Sequence, residues 1–145
     1  MSRHLLIAGV TLAALTYGCG GSSNTQLPAG YNITISNLSF SPLNLAVPPG
    51  ATVTVTNRDA MAHTVTSEVS AGAYTPGGVG GVSFDTGEFT GQKSFTIPTS
   101  AIEGTVIPYY CKVHTSTMNT PTGTITIQAS AQQAPGSTVS SGGAY

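Results

Sequence analysis

The sequence predicts an all-β domain, a Greek-key β-sandwich or barrel of about 7–8 strands. Three observations carry this. Short runs alternate apolar and polar residues with period two. Clusters of Gly, Pro, Asn and Ser punctuate those runs. Thr, Val, Ile and Tyr are plentiful after residue 15, where strong helix formers are sparse.

The elements follow in chain order. Arg3 and the apolar run Leu5–Leu15 read as an export signal, too short to be a comfortable permanent span. The following TYGCGGSSN is similar to the lipobox of bacterial lipoproteins, with Cys19 as the acylated residue. Leu15 stands four residues before the cysteine rather than the usual three, and Tyr17 is bulky. An ordinary cleaved signal and an uncleaved anchor are the alternatives. Residues 1–18 are therefore assigned to a signal peptide and 19–30 to a flexible tether.

The domain occupies 31–129. NITISNLSF places Ile33 and Ile35 on one face, and LNLAV does the same for Leu43, Leu45 and Val47. PPG at 48–50 is a turn. ATVTVTN turns Val53 and Val55 inward, and AHTVTS begins another strand. QKSFTIP alternates around Phe95 and Ile97, and GTITIQ around Ile125 and Ile127. Antiparallel pairing is expected. The glycine-rich Val69–Ser83 reads as a mobile surface loop, and 130–145 as a disordered tail.

Charge excludes one class of partner. Four Lys/Arg against five Asp/Glu give a net charge of −1, with no basic run to bind nucleic acid. With Cys19 lipidated, Cys111 is alone in an oxidising compartment and needs protection, by burial or by a metal.

Beyond residue 18 and apart from Cys19, the good transition-metal ligands are His63, His114, Cys111, Met61 and Met118. Taken singly each has a plainer use: a polar His, a core Met, a small buried Cys. Together, C-x2-H-x3-M at a strand end and one upstream His offer a thiolate, two imidazoles and a thioether. Those are the ligands of a blue-copper site.

The segments VTVTNRDAMAHTVT, FDTGEFTGQKSFTIP and EGTVIPYYCKVHTSTM resemble, in order, three regions of the cupredoxins of the plastocyanin/azurin type. The resemblance covers roughly 33–128. It implies one copper ion held by His63, Cys111, His114 and Met118, with Asn57 bracing the ligand loops by hydrogen bonds. Met61 is the outside candidate for the axial position. The resemblance also implies a one-electron carrier, with His114 reaching the surface through an apolar patch to which Pro42, Leu43 and Pro121 contribute. The implied partners are redox proteins such as a c-type cytochrome or a terminal oxidase, met by a monomer in the periplasm or cell envelope. Membrane contact is expected only through a lipid on Cys19. Of Tyr109 and Tyr110, one is expected in the core and the other at the surface.

Four other readings compete with this one. A copper carrier or storage protein of the envelope would share the fold, but such sites are often exposed Met- or His-rich runs. A multicopper enzyme needs more histidines than the two beyond residue 18. Zinc tolerates Cys and His, though a methionine is a poor fourth ligand for it. A metal-free sandwich leaves the lone cysteine without a role.

Overall fold

The computed structural model describes residues 25–26, 30–134 and 138–139. The proposed signal peptide and Cys19 lie outside the described residues, as does most of the tether and of the tail. Two four-stranded sheets face each other. One has the order β3 (Ser39–Ser41), β2 (Tyr31–Ser36), β5 (Thr52–Asn57), β7 (Gly91–Thr96). The other has the order β4 (Asn44–Val47), β9 (Thr122–Ile127), β8 (Val106–Tyr110), β6 (Thr66–Ser67). No helix occurs among the described residues. A separate short ribbon pairs β1 (Thr25–Gln26) with β10 (Thr138–Val139).

The alternation in the sequence is the alternation of burial. Ile33, Ile35, Val53, Val55, Ile125 and Ile127 are wholly buried between the sheets. Each such side chain contributes about 1.5–3 kcal/mol by leaving water. Their partners on the same strands face outward and are mostly Thr and Ser.

The pairing is mixed rather than purely antiparallel. β2 runs parallel to β5 and β4 parallel to β9. Each parallel pair is reached by crossing between sheets: the chain passes from β2 and β3 to β4 in the other sheet, then back to β5. AHTVTS does not alternate either. Residues 63–68 are all buried, and only Thr66–Ser67 form a strand. LNLAV contributes less than its pattern suggests, because Leu43 precedes the strand and is exposed.

The glycine-rich segment is pinned. The wholly buried Glu68 accepts hydrogen bonds from Gly72 N (3.0 Å) and Tyr74 N (2.7 Å). Val79 and Val82 bond each other reciprocally, and Val82 sits in the core. This loop explains the two tyrosines. Tyr109 packs inward, edge-on to Phe40 with ring centroids 5.1 Å apart. Tyr110 points the other way yet is also buried, because Tyr74 on the loop lies edge-on to it at 5.7 Å. The expectation that one tyrosine would be at the surface is corrected by that cover.

Strand direction divides the domain into two poles. β2, β5 and β8 all end at one pole, where Asn57 and Cys111 stand. Tyr31, the 48–51 turn and the 98–104 segment form the other, joined by Gly50 N to Pro98 O and Gly104 N to Ile127 O. Gly30 and Ala134 are bonded in both directions at this second pole (3.3 and 3.2 Å).

Candidate metal centre

Two loops at the first pole bring the candidate ligands together. His63 follows β5 and is held by an antiparallel bridge to Phe89, with N–H to carbonyl distances of 3.1 and 3.0 Å. Cys111 directly follows β8, and its N–H donates to Pro121 O (3.0 Å), closing the base of the ligand loop. Within that loop Met118 N donates to His114 O (3.1 Å), so the chain turns back after His114.

His63 Nδ1 lies 3.6 Å from Cys111 Sγ, and His114 Nδ1 lies 3.8 Å from it. The three donor atoms are all within 4.8 Å of one another. His63 and Cys111 are wholly buried, whereas His114 is partly exposed. Met118 is buried in the same apolar cluster as Cys111. Met61 instead is 46% exposed.

The donor set fits a single ion. Two ligands at ordinary metal–nitrogen and metal–sulfur distances, opened to a trigonal or tetrahedral angle, are about 3.6 Å apart. The cysteine is free and buried. Its sulfur also receives the Thr64 N–H at 3.5 Å, a donor that stabilises a thiolate.

The protonation pattern of His63 suits a ligand. Its Nε2 is 3.1 Å from Asp59 Oδ2. An ionised carboxylate only accepts, so Nε2 carries the hydrogen and Nδ1 presents its lone pair to the site. Burial, and then the neighbouring His114, hold the His63 pKa below its ordinary value, against the opposing pull of Asp59. Burial of Asp59 acts to raise its own pKa. The N–H groups of Leu38 and Asn37, with His63, outweigh that and leave it below the usual carboxylate value.

Asn57 braces the His63 loop and ties it to Phe89 rather than to the loop that carries Cys111, His114 and Met118. Its Nδ2 donates to Met61 O (2.8 Å) and Phe89 O (3.0 Å), and its Oδ1 accepts from Asp59 N (2.9 Å). Sequence reasoning passed over Asp59 and Thr64. Asp59 had a signal, an acid four residues before a candidate ligand in DAMAH. Thr64 had none, since its role depends on an N–H and on Oγ1 accepting from Lys112 N (2.8 Å).

Fold and donor set together are those of a cupredoxin with one type 1 copper ion. Among solved structures the chain is similar to a novel purple cupredoxin from Nitrosopumilus maritimus. The identity is 26%, over 68% of this chain and 99% of that one, with a TM-score of 0.50. It also shares the fold of amicyanin. The oxidised form of a Met-to-Leu amicyanin variant matches at 22% identity and a TM-score of 0.50, over 68% of this chain and 82% of that one. No protein-family profile matches the chain, and no curated protein is significantly similar to it in sequence.

Proposed function

We infer that this protein is a blue copper protein that carries single electrons between exported redox partners. His63, Cys111 and His114 supply the strong ligands, and Met118 the weak fourth one. The convergence of the two Nδ1 atoms on the Cys111 sulfur carries this reading. Copper bound there would supply a one-electron couple. The protein's own part is to keep the ligands fixed, so that little reorganisation accompanies a change of charge.

The burial pattern supports transfer rather than turnover. His63 and Cys111 are sealed from solvent, and His114 alone of the three reaches the surface. The exposed apolar side chains Leu43, Met61 and Val113 stand close in sequence to β4 or to the ligands. A redox partner such as a c-type cytochrome or a terminal oxidase would dock there by apolar contact. The purple cupredoxin likeness supports copper in this fold.

Titration of the purified protein with Cu(II), followed by ascorbate, tests the reading. An intense thiolate-to-copper band saturating at one equivalent, bleached by the reductant and lost in Cys111→Ser, is expected. A colourless protein, or one that prefers Zn(II), refutes it. The reading includes export with residues 1–18 as signal and Cys19 as the lipidated N-terminus of a monomer. Intact mass of the membrane-extracted protein checks this, because a mature chain beginning at an unmodified residue would exclude the anchor.

A further inference from the structure

The turn joining β2 to β3 is left-handed at both of its central residues, Asn37 (φ 50°) and Leu38 (φ 57°). A two-residue hairpin of type I′ has positive φ at both positions, and Asn suits it. Leucine does not, since its Cβ crowds the backbone in that region. Such a conformation persists only where the surroundings over-determine it.

The surroundings do so from two directions. Asp59, four residues before His63, accepts Asn37 N on Oδ1 (2.7 Å) and Leu38 N on Oδ2 (3.0 Å). The same Oδ2 accepts His63 Nε2. From the other side, Asn119, next to Met118, donates its N–H to Leu38 O (2.8 Å) and its Nδ2 to Asn37 O (3.0 Å). Thr120 Oγ1 accepts Phe40 N (2.8 Å) just beyond the turn. All four backbone groups of the two turn residues are thus used, the N–H groups toward the His63 loop and the carbonyls toward the Met118 loop. No hydrogen bond joins Asp59 to Asn119 directly among the described residues.

We propose that the Asn37–Leu38 turn is a positioning clasp that couples the two ligand loops, so that loosening either loop's grip on the turn displaces the other. Asp59 and Asn119 are its positioning residues. Its effect on the copper colour rests on the function proposed above; the coupling itself does not.

Amide hydrogen exchange of the metal-free protein tests the coupling. In Asp59→Asn, the Asn119 amide should exchange at least tenfold faster relative to the Val55 amide of the core, although Asp59 does not touch it. In Asn119→Ala, the Asn37 and Leu38 amides should accelerate in the same way. Asn119 is exposed, so this variant reads the coupling even if Asp59→Asn does not fold. Acceleration confined to the directly bonded amides, or equal to that of Val55, overturns the proposal. In the copper-loaded protein, Asn119→Ala should shift the relative intensities of the thiolate-to-copper bands. A spectrum unchanged by that substitution would show that the clasp does not position Met118, and would overturn its role at the centre. A wild type without any such band, but with coupled exchange, refutes the copper reading and leaves the coupling standing.

Discussion

Gly123 sits in β9, in a run otherwise suited to β-branched residues, TGTITI. A methyl group there would fall well inside contact distance of Tyr109 Oη and Cζ, and 2.7 Å from Leu43 O. None of these atoms yields easily. Tyr109 is wholly buried against Phe40, and Leu43 O accepts the Thr124 N–H at 2.7 Å. Gly123→Ala should therefore incur the upper part of the usual overpacking range, about 3 kcal/mol. Replacing glycine in a strand returns up to about 1 kcal/mol of backbone entropy. The net loss is about 2 kcal/mol, equivalent to a fall of about 10 °C in Tm for a domain of this size. Urea denaturation of the metal-free variant measures it. The double variant Gly123→Ala/Tyr109→Phe removes Oη, one of the two Tyr109 side-chain atoms in conflict, together with only a long hydrogen bond to Pro42 O (3.4 Å). It should recover about 1 kcal/mol, a non-additivity expected of touching residues. A Gly123→Ala protein as stable as wild type would show that the ring does not occupy the space above residue 123.

Glu68→Gln should destabilise by about 1.5–3 kcal/mol, because the amide keeps one acceptor and sets an NH2 against a backbone N–H. Denaturant midpoints check this, and faster exchange at Gly72 and Tyr74 should accompany the loss. The metal-free protein should lose stability as pH falls through about 6.5. There the unfolded chain gains a proton at His63 that the buried, depressed imidazole resists, so the slope reaches at most about 1.4 kcal/mol per pH unit. Denaturation between pH 7.5 and 5.5 reads it, and a flat or rising profile toward acid contradicts it. Lys112→Ala should cost less than about 1 kcal/mol, since its ion pair with Asp85 is largely solvated. A larger loss by urea denaturation would assign that pair a structural role. On the function proposed above, electron transfer to a redox partner should vary little between low and moderate salt, given the net charge of −1. A steep fall in rate with salt, followed by stopped-flow, would instead indicate charged docking.

The core was legible because it alternates: Ile33/Ile35, Val53/Val55 and Ile125/Ile127 each declare an inward face by period two. The cluster of His63, Cys111 and His114 was legible because these residue types are scarce in this chain and their chemistry converges. What did not show in the sequence depends on long-range backbone contacts. Parallel pairing of β2 with β5 leaves no local trace, since side-chain alternation is the same in either direction. The burial of Tyr110 depends on Glu68 folding the glycine-rich loop over it. The left-handed Leu38 contradicts local preference and is held by Asp59 and Asn119, 21 and 81 positions away in the chain.

The chain enters the domain at Gly30 and leaves it at Ala134, and these two residues are bonded to each other at the pole opposite the ligands. At least the length of β5 separates the two poles, about 17 Å for six residues at ordinary strand rise. Anything attached before Gly30 or after Ala134 therefore starts from the back of the domain. A linker to an electrode, a fusion partner or a surface would leave the His114 face turned outward. On the function proposed above, either end of this domain is a mounting point for a protein-based electrical contact that leaves the His114 face clear.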